Sequence, residues 1–79
     1  MNGDIVVSTA QMQVLHLLKE IGPTTDMDLH YTLNENGVQI SQSGVRHRRN
    51  RLREKGLVKK TYQVVNRTDG RTLIVWKAK

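Results

Sequence analysis

The most informative segment of the chain reads SQSGVRHRRNRLREKGLV, residues 41–58. Ser41 is a favoured residue for a helix N-cap, and Gly56 is the residue type that most often follows a helix end. Val45 and Leu52 fall within about 20° of each other on a helical wheel, so they define one buried side. The segment therefore predicts a helix over residues 42–55 with a single apolar stripe.

The outward face of this predicted helix is basic and rich in hydrogen-bonding groups. The side opposite the apolar stripe contains Ser43, His47, Asn50 and Glu54, and Arg46 and Arg51 flank this outward face. Residues 46–55 contain six basic residues and one acidic residue, whereas a merely solubilising surface usually intersperses both signs. Arginine can pair bidentately with guanine and asparagine with adenine in the major groove. The pattern therefore favours a nucleic-acid interface.

Arg49 departs from this pattern because it lies about 40° from the centre of the apolar stripe, where an aliphatic residue is expected. We expect its aliphatic stem to pack on the core while its guanidinium group reaches solvent. A structural role is therefore predicted for Arg49 rather than a contact with a base.

Two amphipathic helices are predicted before this segment. Ser8 and Gln11 form a capping box for the first, which Gly22 and Pro23 end. Thr25 begins the second, with Asp26 and Asp28 serving its N-terminal cap, and Asn36-Gly37 closes it. The apolar stripes contain Val14, Leu15, Leu18 and Ile21 in the first helix, with Leu17 at its border, and Leu29 and Leu33 in the second. Residues 38–40 are predicted to be an extended connection with two apolar side chains in the core.

After Gly56 the hydrophobic period changes from helical to alternating. Residues 57–65 and 72–76 predict two strands, and the turn between them, residues 66–71, contains Asp69-Gly70. Trp76 is predicted to anchor the core rather than to stack on a base. The order of helix, helix, helix and hairpin predicts an α+β fold, with one domain over residues 8–79 after a flexible leader, residues 1–7.

Charge is distributed unevenly along the chain. Residues 1–45 contain one basic and five acidic residues, and residues 46–79 contain twelve basic and two acidic residues, for a net charge of +6. A basic half on an acidic body is expected for a protein with a polyanionic partner.

Other classes of function find little support in the composition. The chain lacks cysteine, and its three histidines have no ligand-like spacing, so no metal site is expected. No catalytic or phosphate-binding motif is present, so we expect neither enzymatic activity nor a cofactor nor a small-molecule ligand. No segment has the character of a signal peptide or a membrane span, which predicts a cytoplasmic protein.

Residues 41–46, followed by Leu52 and residues 56–58, resemble the recognition helix and the turn into the wing of winged helix-turn-helix proteins. Residues 43–49 look most like small phage-encoded and bacterial members, and the resemblance covers about residues 8–77. It implies a three-helix winged helix-turn-helix with a C-terminal β-hairpin wing. It also implies a small transcriptional regulator, in a bacterial or phage-infected cell, whose third helix reads the major groove of double-stranded DNA while the wing contacts the minor groove or the backbone.

The helix face and the resemblance together predict the contact residues. The predicted base-reading residues are Ser43, Arg46, His47 and Asn50. The predicted contacts to the DNA backbone are Ser41, Arg48, Arg51, Arg53, Lys59 and Lys60, and those of the wing are Arg67, Thr68, Gly70 and Arg71. Two arginines that flank a tight turn can straddle a narrow minor groove, where the negative potential is strongest.

Three alternatives remain open from the sequence. The first is a winged-helix adaptor that binds an acidic protein partner, and the second is a phage recombination or architectural factor that binds DNA by its shape. The third, RNA binding, is disfavoured because exposed aromatic side chains for stacking unpaired bases are not expected. The sequence leaves the target site, the direction of regulation and the oligomeric state open, although we expect a monomer that pairs on DNA.

Overall fold

Residues 7–79 are described by a computed structural model, and within them the chain forms three helices and a three-stranded sheet. In chain order the elements are α1 (Thr9–Ile21), β1 (Thr24–Thr25), α2 (Asp26–Glu35), α3 (Gln42–Glu54), β2 (Val58–Asn66) and β3 (Thr72–Ala78). Each predicted helix and both predicted strands are present, with bounds within about two residues of those expected. The predicted leader falls almost entirely on residues 1–6, which lie outside the described residues, so the domain boundary there stays a prediction.

Each helix begins where a side-chain oxygen caps it. The Oγ atoms of Ser8 and Ser41 accept hydrogen bonds from the amides of Gln11 at 3.1 Å and Gly44 at 3.0 Å. Thr25 Oγ1 accepts from the amide of Asp28 at 3.2 Å. These bonds satisfy amides that have no partner inside the helix, which is why the helices start at these residues.

The capping box predicted at the start of α1 is only half formed. The side-chain oxygen of Gln11 accepts a hydrogen bond from Nζ of Lys55, the residue that follows α3. The Gln11 side chain therefore connects the first turn of α1 to the end of α3 instead of turning back to the amide of Ser8.

The sheet is antiparallel with the strand order β1-β3-β2. β3 lies in the centre, pairing with β1 through Thr24 and Thr25 and with β2 along most of its length. The β2–β3 register shifts between Lys60 and Val64, where β2 carries extra residues. β1 was not predicted, because two residues are too few to show a strand period.

The core lies between the three helices and the base of the sheet. Its buried hydrophobic residues are Val14, Leu15, Leu17, Leu18, Leu29, Leu33, Val45, Leu52, Val58, Val75 and Trp76. Trp76 is buried as predicted, and Val38 and Ile40 pack against the core as predicted.

Two assignments within α1 were wrong. Ile21, predicted in the apolar stripe, is 46% exposed, because it is the last residue of α1 and the chain turns away at Gly22. Leu17, predicted at the border of the stripe, is fully part of the core cluster. Within residues 7–79, no helix has the length and apolar character needed to cross a membrane.

Candidate nucleic-acid interface

One edge of α3 faces the hairpin across an open cleft of about 370 Å³. Gln42, Arg46 and Arg49 recur at helical spacing along this edge, so their side chains point the same way. The residues that line the cleft are Asp26, Met27, Gln42, Arg46, Arg49, Arg67, Arg71, Thr72, Leu73, Ile74 and Trp76. The fold therefore brings together one predicted base-reading residue, Arg46, and two predicted wing residues, Arg67 and Arg71.

Arg49 forms a buried ion pair on the wall of this cleft. Its Nε atom donates to the two carboxylate oxygens of Asp26 at 2.9 and 3.2 Å, and its Nη2 atom donates to Oδ2. The guanidinium carbon lies 3.8 Å from the centroid of the Trp76 ring, a distance typical of a cation–π contact. The Arg49 side chain is only 7% exposed, against 25% for Asp26.

These contacts correct two predictions. The guanidinium group of Arg49 does not reach solvent, because a carboxylate and an aromatic face satisfy it inside the protein. The carboxylate of Asp26 binds Arg49 rather than serving the cap of α2, although it still lies in the first turn. The predicted structural role of Arg49 agrees with its place between α2, α3 and β3.

The predicted base-reading residues all lie on exposed positions of α3. These residues are Ser43, Arg46, His47 and Asn50. Ser43 Oγ lies 3.2 Å from Ser41 Oγ at the start of the helix. The side-chain oxygen of Asn50 accepts a hydrogen bond from Nη1 of Arg49, so part of this amide is engaged within the protein.

The predicted backbone contacts differ in how available they are. Lys59 and Lys60 are exposed on β2, whereas Arg48 is half-buried. Arg51 pairs with Glu54 at 3.7 Å on the surface of α3. The guanidinium carbon of Arg53 lies 5.2 Å from the centroid of the Trp76 ring. Their contacts with DNA stay predictions.

The hairpin tip is a tight turn organised by Asp69. The amide of Arg67 donates to the carbonyl of Arg71 at 2.8 Å, and Gly70 has a φ of 86°, which a residue with a side chain rarely adopts. The Asp69 carboxylate accepts from the amide of Arg71 at 3.1 Å and lies 3.6 Å from the Arg67 guanidinium and 4.0 Å from that of Arg71. Asp69 therefore keeps both arginines close to the tip, with Thr68 exposed between them.

The hairpin also contacts α2. Nη1 of Arg67 lies 3.2 Å from Sδ of Met27, a residue of the first turn of α2 that also lines the cleft. This contact gives Arg67 a defined position on the far side of the cleft from α3.

Two tyrosines are exposed, contrary to the expectation of no exposed aromatic side chain. Tyr62 is fully exposed, because it lies in the irregular part of β2 where the register shifts and the side-chain alternation is interrupted. Tyr31 is exposed on α2. The Glu35 carboxylate, as a hydrogen-bond acceptor and as a negative charge, raises the pKa of Tyr31 above its usual range.

The sequence pattern missed Asp26 and Trp76 as parts of the cleft wall. Asp26 lies 23 positions before Arg49, and helical spacing reports only neighbours on the same helix. The available signal was the position of Arg49 near the apolar stripe, since a buried guanidinium group needs an acceptor. Among residues 7–79, no group of three or more His, Cys, Asp or Glu residues could hold a metal ion.

No protein-family model matches the chain, and no curated protein matches it. Several solved structures, in contrast, are similar to the chain. The ferric uptake regulator of Vibrio cholerae superposes with a TM-score of 0.73 at 18% identity, over 95% of this chain and 54% of that one. A cysteine-to-serine mutant of ZitR from Lactococcus lactis, solved in complex with DNA, superposes with a TM-score of 0.67 at 23% identity, over 99% of this chain and 47% of that one. A chain of HOP2, from work on its DNA recognition and protein interaction domains, superposes with a TM-score of 0.68 at 17% identity, over 89% of this chain and 98% of that one.

These similarities show the fold. The chain spans about half the length of the ferric uptake regulator and ZitR chains that it matches. Three helices followed by an antiparallel hairpin form a winged helix-turn-helix, as the sequence predicted, and the solved structures that share it include transcriptional regulators.

Proposed function

We propose that this chain binds double-stranded DNA as a small transcriptional regulator, with α3 in the major groove and the hairpin tip at the minor groove or the backbone. The observation that carries the proposal is the cleft, where Arg46 of α3 faces Arg67 and Arg71 of the hairpin. Among the described residues that line it, the one acidic side chain is Asp26, which Arg49 already neutralises. The cleft therefore offers a positive surface to a phosphodiester strand.

The two walls of the cleft suit different parts of a duplex. The major groove is about 12 Å wide and accepts an α-helix, so Ser43, Arg46 and His47 on the exposed side of α3 would meet base edges. A DNA strand beside the helix would then run through the cleft, within reach of Arg67 and Arg71. Contacts with phosphate set the position of a protein on DNA, and contacts with bases set its sequence preference.

Selection from a pool of randomised duplexes at near-physiological salt tests this proposal. We expect the wild-type protein to enrich a sequence motif. Arg46→Ala should relax the preference at one position and weaken binding to the preferred site by about 1–3 kcal/mol, because a bidentate base contact is lost. Lys19→Ala is the matched control, since it also removes one positive charge but lies in the last turn of α1, outside the cleft.

The proposal fails if the wild-type protein retains no duplex. The assignment of Arg46 as a base reader fails if Arg46→Ala weakens preferred and random duplexes equally, because that result indicates a phosphate contact alone.

A second candidate function is a protein-interaction adaptor, and the exposed surface of the hairpin favours it. The exposed large hydrophobic residues on β2 and β3 are Tyr62, Val64, Val65 and Ile74. Val64 pairs with Ile74 across the two strands, so these two apolar side chains share a face, and exposed apolar neighbours can mark a site of protein contact. This candidate predicts binding to an acidic protein and no retention of duplex DNA.

Binding by shape is the remaining form of DNA recognition. HOP2 is described as a protein with DNA recognition and homologous DNA pairing properties, and 98% of its matched chain shares the present fold. For the present protein, retention of duplexes with no enriched motif would indicate this architectural mode instead of a sequence-specific regulator.

A further inference from the structure

The amide of Asn50 is held in one orientation by the buried ion pair beside it. Asp26 accepts from Nε and Nη2 of Arg49, which leaves Nη1 as the guanidinium nitrogen that needs another acceptor. The oxygen of Asn50 supplies it. Arg49 is almost completely buried, so a donor without a partner there would be costly.

The chemistry of arginine determines which atom of Asn50 faces inwards. A guanidinium group has only donors, whereas an amide has an acceptor oxygen and a donor nitrogen. The oxygen must therefore face Arg49, and a rotation of the amide by 180° would bring two donors together. Asn50 itself is an exposed residue of α3, so the group it turns towards a ligand is the NH₂ group.

We infer that Asn50, oriented by Arg49, acts as a hydrogen-bond donor that selects guanine, and that it does not pair bidentately with adenine. Adenine recognition by asparagine uses the oxygen and the nitrogen of the amide side by side. Guanine presents two adjacent acceptors, N7 and O6, whereas adenine places an N6 donor beside its N7 acceptor. An outward NH₂ group is therefore better matched to guanine. This inference rests on the proposed function, and it replaces the adenine contact that the residue type alone suggested.

The first test compares the motifs selected by the wild-type protein and by Asn50→Asp. The variant keeps an oxygen for Arg49 and turns a second oxygen outwards in place of the NH₂ group. At one position the preference should change from guanine to cytosine, whose N4 amino group is a donor, and guanine enrichment should fall about tenfold. Lys19→Ala is the control, because Lys19 lies on α1 outside the cleft, and it should leave that position unchanged.

Two outcomes of the selection would overturn the inference while the proposed function stands. One is a wild-type motif with adenine at the position that depends on Asn50. The other is a motif that Asn50→Asp leaves unchanged at every position, because Asn50 would then contact only phosphate or nothing. A wild-type protein that retains no duplex would remove the proposed function and the base preference together.

The second test needs no DNA and examines the amide orientation itself. Asn50→Asp retains an acceptor for Nη1 of Arg49, whereas Asn50→Ala leaves that buried donor without one. In urea unfolding, Asn50→Ala should lower the midpoint relative to His47→Ala, an exposed substitution on the same helix that corrects for the helix propensity of alanine. Asn50→Asp should keep the wild-type midpoint or raise it. Equal midpoints for Asn50→Ala and His47→Ala would contradict the bond between Arg49 and Asn50.

Discussion

The guanidinium group of Arg49 contacts α2 through Asp26, α3 through Asn50 and β3 through Trp76. A single side chain thus joins the three elements that form the cleft. Charged groups inside a protein are tolerated only when they are paired and hydrogen-bonded, and each of these contacts meets that need. The residue that departs most from the amphipathic pattern of α3 is therefore the one that connects α2, α3 and β3 at the cleft.

Removal of Asp26 should destabilise the protein strongly. Asp26→Ala leaves a guanidinium group without a counter-charge at a position that is 7% exposed, and breaking a buried pair in this way costs about 3 kcal/mol. The free energy of unfolding in urea, measured by circular dichroism, checks this value.

The matched comparison is the exposed pair of Arg51 and Glu54, which are separated by 3.7 Å. Glu54→Ala should lower the free energy of unfolding by less than about 1 kcal/mol, because water screens the pair. If the Asp26 and Glu54 variants lose the same stability, the ion pair in the cleft does not have the role assigned to it.

Residue patterns predicted the site only in part. The helical wheel identified the exposed face of α3 and singled out Arg49 as structural, since a wheel reports direction from the helix axis. It could not identify Asp26 as the partner or show that Asn50 turns its oxygen inwards. Both facts depend on tertiary contacts, which the spacing of residues along one helix does not encode.

At the scale of the elements, the N-terminus of α3 has a structural role, the cap at Ser41, and a proposed role in binding DNA. Ser41 caps the helix through the amide of Gly44, and a cap of this kind contributes about 1 kcal/mol. The same end of a helix attracts anions, because its free amides and its dipole are positive. The prediction that Ser41 contacts the DNA backbone is consistent with this position.

Two substitutions separate these roles. Ser41→Ala should lower the free energy of unfolding by about 1 kcal/mol, whereas Ser41→Asp should keep the stability because aspartate is an equally good cap. Ser41→Asp should nevertheless weaken duplex binding, since a negative charge would stand beside a phosphate. Urea unfolding and a duplex titration by fluorescence anisotropy measure the two effects.

Ser8→Asp is the control for this experiment, because Ser8 caps α1 in the same way. It should change neither stability nor duplex affinity appreciably. Equal affinities for Ser41→Asp and the wild-type protein would show that the start of α3 does not approach a phosphate.

The elements themselves were largely predictable. Ser8, Thr25 and Ser41 marked the helix starts, because a polar side chain at an N-cap makes a local hydrogen bond with the next turn. The hairpin was evident from Asp69-Gly70 between two alternating segments. β1 and the irregular register at Tyr62 were not predictable from the sequence, since both arise where the sheet pairs distant residues. The exposure of Tyr62 follows from that irregularity.

At the scale of the whole molecule, the fold converts an asymmetry along the chain into an asymmetry in space. The acidic part of the sequence, residues 1–45, contains α1 and α2, whereas the basic part, residues 46–79, contains most of α3 and the hairpin. Four arginines from two separate parts of the basic segment, Arg46, Arg49, Arg67 and Arg71, line the cleft between α3 and the hairpin. Net charge alone predicted a polyanionic partner, but it could not predict this cleft.

The salt dependence of duplex affinity tests whether the protein binds DNA through α3 and the hairpin. Each phosphate neutralised by a lysine or arginine releases condensed counterions, so the logarithm of the binding constant falls with the logarithm of salt concentration by about 0.9 for each contact. The measurement is a duplex titration at several salt concentrations with the wild-type protein, Lys60→Ala and Lys19→Ala. The two lysines are both exposed, but Lys60 lies on β2 and Lys19 on α1.

We expect a steep slope for the wild-type protein, a slope smaller by about one unit for Lys60→Ala, and no change for Lys19→Ala. Absence of duplex binding, or an equal loss of slope in the two variants, would contradict the claim that this protein binds DNA through α3 and the hairpin.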